Sequence, residues 1–208
     1  MDSLKQNSKT NNLTTDTNIS GQKYKFAIPD AEHNDINYNY GNIYEIEQTT
    51  ANKRLQIGPT GNQIDLILKL ADILNPPYFI LYVLVVSRLN NEYGRYESPQ
   101  IETKQELAKF LNEYREYFET DGRHHVWVGT FDNSGLLIYD QHNVIFAYGQ
   151  LDKYIEILER ERFIEQKFSF PYPHCHNFHD DNDKFEKSIL NHWEWELSPL
   201  GDNDEYND

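Results

Sequence analysis

Three of the eight histidines stand at 174, 176 and 179, inside the stretch F-P-Y-P-H-C-H-N-F-H-D-D-N-D over 170–183. Imidazole, thiolate and carboxylate are the groups that a zinc or iron ion takes. In an extended chain His174 and His176 project to one side, and His179 could fold back towards them. His174, His176 and His179 are therefore one candidate metal set, with zinc or iron as its cofactor. If these rings only hydrogen-bond or stack within a proline-fixed loop, no cofactor is expected. A second candidate set is His124, His125, Asp140 and His142. Neighbouring residues of a strand face opposite ways, so one ring of the His124–His125 pair should turn inward and hydrogen-bond while the other turns to solvent. An imidazole pair with a carboxylate could do acid–base chemistry or metal-assisted hydrolysis. Whether these residues face the loop at 173–179 decides between an enzyme and a binding protein.

The spacing His174-x-His176-x-x-His179 resembles the metal motif of the metallo-β-lactamase superfamily, H-x-H-x-D-H. Phe178 stands where that motif has its aspartate, and the position of the motif late in the chain leaves little sequence for the rest of that fold. Both departures argue against the family. Cys175 as a nucleophile would need a base and an oxyanion hole, and flanking histidines in sequence supply neither. There is no G-x-S-x-G, phosphate-binding loop, dinucleotide fingerprint or H-E-x-x-H pattern. Arg88, Arg95 and Arg123 sit at strand ends or turns, where they could bind an anionic ligand or clamp carboxylates, although ordinary surface ion pairs with the abundant acids are the main expectation.

The net charge is -15 at pH 7, and residues 180–208 carry ten acids against two bases. Such a field repels phosphate backbones, so direct nucleic-acid binding is not expected. It favours a basic protein partner and speeds its approach. Aspartates 180, 181 and 183, glutamates 194 and 196, and the aromatics Tyr172, Trp193 and Trp195 form the candidate partner-binding surface (Asp180, Asp181, Asp183, Glu194, Glu196), because aromatic anchors with acidic surrounds suit such an interface. The single cysteine permits no internal disulfide, which fits a reducing, cytoplasmic setting. The most apolar run, 78–86, is too short to span a membrane. Asp121-Gly122-Arg123-His124-His125 and Pro173-His174-x-His176 look like fixed family signatures but attach to no named family. Acidic, single-domain, rich in Tyr and Trp and lacking a catalytic signature, the chain resembles in general character over 21–208 the small acidic immunity proteins of bacterial polymorphic-toxin systems. That resemblance implies a non-enzymatic protein that neutralises a basic toxin by masking its active site. The rival reading is a small metal-dependent hydrolase.

The elements that must position these residues follow from periodicity. Residues 1–20 are polar and read as a disordered tail, 21–200 as one α+β domain, and 201–208 as an acidic tail. A strand or arm is expected over 22–28 and another over 43–47, with 30–42 as loop. Thr60 is the expected N-cap of a helix over 60–74. The continuous apolar run over 78–89 predicts a strand covered on both faces. Thr103-x-x-Glu106 predicts a capping box opening a helix over 103–118. Residues 124–148 read as a three-stranded meander, 151–163 and 184–193 as helices, and 170–183 as irregular. The sum is a mainly antiparallel sheet of four or five strands with helices mostly on one face.

Overall fold

The computed structural model describes residues 22–202 and 204. The polar tail expected over 1–20 lies outside the described residues, as do 205–208. The α+β class holds, with five α-helices and twelve strands among the described residues. The strand count is corrected: the main sheet has nine strands, and a separate small sheet has three.

In chain order the first elements are β1 (Phe26–Pro29), β2 (Asp35–Asn37), β3 (Ile43–Gln48), β4 (Lys53–Gly58), α1 (Gln63–Ala71), β5 (Tyr78–Leu84) and β6 (Gly94–Glu97). Then come α2 (Lys104–Glu113), α3 (Arg115–Thr120), β7 (His124–Thr130), β8 (Leu136–Tyr139), β9 (Ile145–Tyr148) and α4 (Leu151–Arg160). The chain closes with β10 (Ile164–Glu165), β11 (Cys175–His176), α5 (Asp183–Leu190) and β12 (Glu196–Ser198). The large sheet runs β10-β3-β4-β9-β8-β7-β5-β6-β12, antiparallel except for β10 beside β3. The meander β7-β8-β9 is present as expected. The missed strands are short ones made by pairing. β10 and β11 have two residues each, too few for a period to register. β11 also corrects the irregular reading of 170–183, and β2 that of 30–42.

Alternation sorts the sheet into two faces. Tyr78, Ile80, Tyr82 and Leu84 of β5 join Val126 and Val128 of β7 and Leu137 and Tyr139 of β8 in the main core. Apolar residues of α1 to α5 close that core, so the helices do pack on one face. The other face carries a small cluster of Leu81, Val83 and Val85, and beside it the sheet is open. β5 is thus covered on both faces, as its composition predicted.

Two helix starts show what sequence can and cannot fix. Thr103 accepts from Glu106 N, and Glu106 Oε2 accepts from Thr103 N, completing the expected capping box. Thr60 does not cap α1: the N-cap is Asn62, in the left-handed region at φ 55°, with no side-chain cap bond. The orphan amide of Ile64 donates instead to Glu119 Oε1 of α3, at 2.8 Å. This is a tertiary cap that satisfies the donor a local cap would have taken.

His124 faces the core and His125 the opposite side, as strand geometry requires. The expected hydrogen bonding is corrected. His124 is fully buried against Tyr117 at 4.3 Å and beside Phe118 and Tyr82, and neither of its ring nitrogens has a hydrogen-bond partner. His125 does not reach solvent either, being 8% exposed. Burial holds His124 well below the ordinary histidine range. The unfolded chain takes up this proton near pH 6.5 and the folded chain refuses it, so the unfolded state binds more protons and stability falls with falling pH. Below that point His124 alone costs about 1.4 kcal/mol per pH unit. His124→Phe is therefore expected to flatten the pH dependence of the urea midpoint between pH 7 and 5. An unchanged slope in the variant would refute this account of His124.

Candidate metal centre

The turn between β8 and β9 builds the first part of the site. Asp140 Oδ1 accepts from the backbone amides of His142 at 2.9 Å and Val144 at 3.0 Å, an Asx-type turn that fixes the local backbone. Its other oxygen, Oδ2, lies 2.8 Å from His142 Nδ1. Burial opposes its charge, but His142 and the Val144 amide hold the Asp140 carboxyl below its usual range. A carboxylate only accepts, so His142 Nδ1 carries the proton and Nε2 presents its lone pair. Beneath the turn, Lys25 Nζ donates to Asp140 O at 3.1 Å and sits 3.9 Å over the Tyr139 ring. Burial pushes the Lys25 ammonium down to about 7, against the pull of Asp140, Asp121 and Glu119.

The second part comes from β11, which pairs with β1 through Phe26↔His176 and Ala27↔Cys175. His174 Nδ1 donates to Pro171 O at 3.0 Å, again leaving Nε2 as the acceptor. The His176 ring lies by the Gln141 backbone, and burial, with His142 and His174 beside it, pushes its pKa down to about 3. It is therefore neutral, the form that ligates a metal. Cys175, between them, points away with its Sγ 3.8 Å from Ala27 O, and burial pushes its thiol up to about 11. It is neither an activated nucleophile nor a member of the cluster.

One ligand atom from each of His142, His174 and His176 lies within 4.8 Å of the others. Zinc–nitrogen bonds of 2.0–2.1 Å would bring tetrahedral ligands to roughly 3.4 Å apart, so modest rotations of the rings would close the set. The Phe26 ring stands 5.4, 5.2 and 5.7 Å from the imidazoles of His142, His174 and His176, and Phe170 stands 5.2 Å from His142. The donor chemistry fits a divalent zinc or iron ion: three imidazoles, one held by a carboxylate and one by a backbone carbonyl, beside the aromatic ring of Phe26. The three rings line a cleft of about 1270 Å³ on the open face of the sheet. His125, Trp127, Phe146, Tyr148 and Tyr172 also line it, with Arg54 and Arg95.

The two sequence sets are thus regrouped. His142 and Asp140 join His174 and His176; His125 lines the same cleft; His124 lies across the sheet. His179 is turned aside: its Nε2 lies 3.2 Å from Tyr24 O, and its backbone amide donates to Asp121 Oδ2. The 174–179 segment is pinned by Arg123, fully buried, which bonds Asp121 through two nitrogens, Asp183, Glu186 and His179 O. Arg88 and Arg95 also carry ion pairs, with Asp180 and Asp183 and with Asp204. Asp204, expected in a free acidic tail, is 2% exposed.

Of the candidate partner surface, Asp180 and Asp183 hold Arg88, and Asp181 holds Lys23 at 3.2 Å. Trp193 stacks on Phe110 at 4.3 Å, and Trp195 Nε1 donates to Ile189 O, so both tryptophans serve the fold. Glu194 and Glu196 are exposed, and Tyr172 is 93% exposed at the cleft rim. Sequence reading missed Phe26 and Arg54. For Arg54 a signal existed: Leu55 and Ile57 alternate with Arg54 and Gln56, a short strand pattern cut off by Gly58-Pro59.

No protein-family model matches the chain, and neither a curated protein nor a solved structure matches it. Among the described residues no helix is long and apolar enough to cross a membrane.

Proposed function

We propose that the chain is a small metal-dependent hydrolase whose ion is held by His142, His174 and His176. The observation that carries this reading is the convergence of three imidazoles from two distant segments, two of them with Nδ1 already tied, on one cleft. A bound divalent cation would polarise a carbonyl or phosphoryl oxygen and lower the pKa of water. The chain's own contributions are distinct from that. Asp140 orients His142 and fixes its tautomer, Pro171 O does the same for His174, and the buried Phe26 ring shields the back of the site. Three protein ligands would leave a coordination position for water or substrate, the pattern of catalytic rather than structural zinc. The test is direct: after zinc loading and desalting, about one equivalent is expected to stay with the protein. Hydrolysis of nitrophenyl acetate should appear with it and vanish on chelation. Protein that retains no metal would end the proposal.

A second reading, an acidic immunity-type protein that masks a basic toxin, is supported by the charge of -15 and by the exposure of Tyr172, Asp181, Glu194 and Glu196. It expects salt-sensitive co-purification with a basic toxin encoded by the neighbouring gene. A neighbourhood with no such gene would count against it.

A further inference from the structure

We infer that Arg54, with the Tyr148 hydroxyl, is the carboxylate-binding subsite of this cleft, so that the substrate is a small molecule carrying a carboxylate some distance from the bond to be cleaved. The inference rests on the metal-hydrolase reading above.

Arg54 is the cross-strand partner of Glu47, and its Nε donates to Glu47 Oε2 at 2.6 Å. A rim ion pair would be its whole role if the guanidinium stopped there. It does not. Nη1 donates to Tyr148 OH at 2.8 Å, and Nη2 has no hydrogen bond among the described residues. The pairing Leu55↔Ala147 puts Arg54 level with Tyr148, yet its Cζ is 4.2 Å from the Phe146 ring centre and 5.8 Å from that of Tyr148. The guanidinium therefore leans along β9 towards the turn that carries His142. Phe146 lies four residues from His142 along the chain, at most roughly 13 Å at the strand rise. Arg54, Phe146, Tyr148 and the three histidines all line the one cleft.

The chemistry selects the ligand. Tyr148 OH accepts from Nη1 and keeps its own proton to donate. Nη2 and that hydroxyl together offer two donors along one edge, which matches the two oxygens of a carboxylate. Glu47 already offsets part of the guanidinium charge, so a monoanion suits the subsite better than a phosphate dianion. A peptide seated by strand addition is not favoured: β4, β9, β8, β7 and β6 are each paired on both sides, and the edge strand β11, which brings His176 to the cleft, is only two residues long.

The test uses the full-length protein loaded with cobalt(II), whose thiolate charge-transfer band reports ligands on the metal. Mercaptopropionate and mercaptohexanoate are titrated against the neutral mercaptoalcohols of the same lengths. The acid of fitting length is expected to bind about tenfold tighter than its alcohol. Arg54→Gln should bring that ratio to about one, Arg54→Lys should keep part of it, and Tyr148→Phe should lower it by a few fold. Circular dichroism and an unchanged affinity for the alcohols show that the variants are folded and loaded. An acid-to-alcohol ratio that persists in Arg54→Gln overturns the subsite while leaving the metal reading intact. If cobalt gives no thiolate band in the unaltered protein, the metal reading falls and the subsite with it.

Discussion

Replacing Arg123 by methionine is expected to cost about 3–5 kcal/mol of folding stability, read as a lower urea midpoint at pH 7. The guanidinium is fully buried, as are the carboxylates of Asp121 and Glu186 that it neutralises. Asp183 completes the set and is shared with Arg88. The cation is what makes two carboxylates tolerable in a site closed to bulk solvent. Methionine would fill much of its volume and leave both charges stranded, which costs far more than the loss of any one hydrogen bond. Arg123→Lys should not restore the midpoint, because an ammonium cannot reach the positions held by Nε, Nη1 and Nη2 together. Adding Asp121→Asn and Glu186→Gln to the methionine variant should recover part of the loss. A loss below about 1 kcal/mol would mean that the network is wetter than its burial indicates and would sink the argument.

The same network reaches the metal centre, and this gives the prediction a second readout. Asp121 Oδ2 accepts from His179 N, and Gly122 N donates to Asn177 O. Asn177 N in turn donates to Lys25 O, next to Phe26, which pairs with His176. Arg123 therefore holds the end of the segment that presents His174 and His176. Its loss should weaken metal retention even at temperatures where the variant is still folded.

How much of the structure is legible in the sequence depends on the range of the interaction. The capping box at Thr103, the meander over 124–148 and the doubly covered β5 are set by residues close together in the chain, and each was legible. The cap of α1 by Glu119, 55 positions away, was not, and neither were the two-residue strands, which exist only through their partners. The site shows the same division. His174 and His176 were found by spacing, and Asp140 with His142 by composition of a turn. Their union depends on β1 pairing with β11 and on Lys25 anchoring Asp140, neither of which leaves a local pattern. His179 was drawn in by proximity along the chain and excluded by a buried arginine 56 residues away.

That regrouping separates two metal sets experimentally. His142→Ala is expected to abolish stoichiometric zinc retention, whereas His179→Ala should leave it unchanged. In the set read from spacing alone the outcomes are reversed, because His179 would be a ligand and His142 a bystander. Asp140→Asn sits between these. The amide can still accept from the His142 and Val144 amides but no longer holds Nδ1–H with a charge, so the ligand stays while its orientation loosens. Loss of such an outer partner weakens metal binding by about 10–100-fold, measurable by competition with a chromogenic chelator. Loss of a ligand itself must exceed that. A purely structural role makes a different forecast: rings packed around Phe26 as an aromatic cluster would give His142→Ala a lower urea midpoint and no change in a zinc content that was never there. Retention of zinc by His142→Ala, or its loss in a folded His179→Ala, would overturn the assignment of the triad. The ordering of the three variants, rather than the loss in any one, identifies which imidazoles hold the ion.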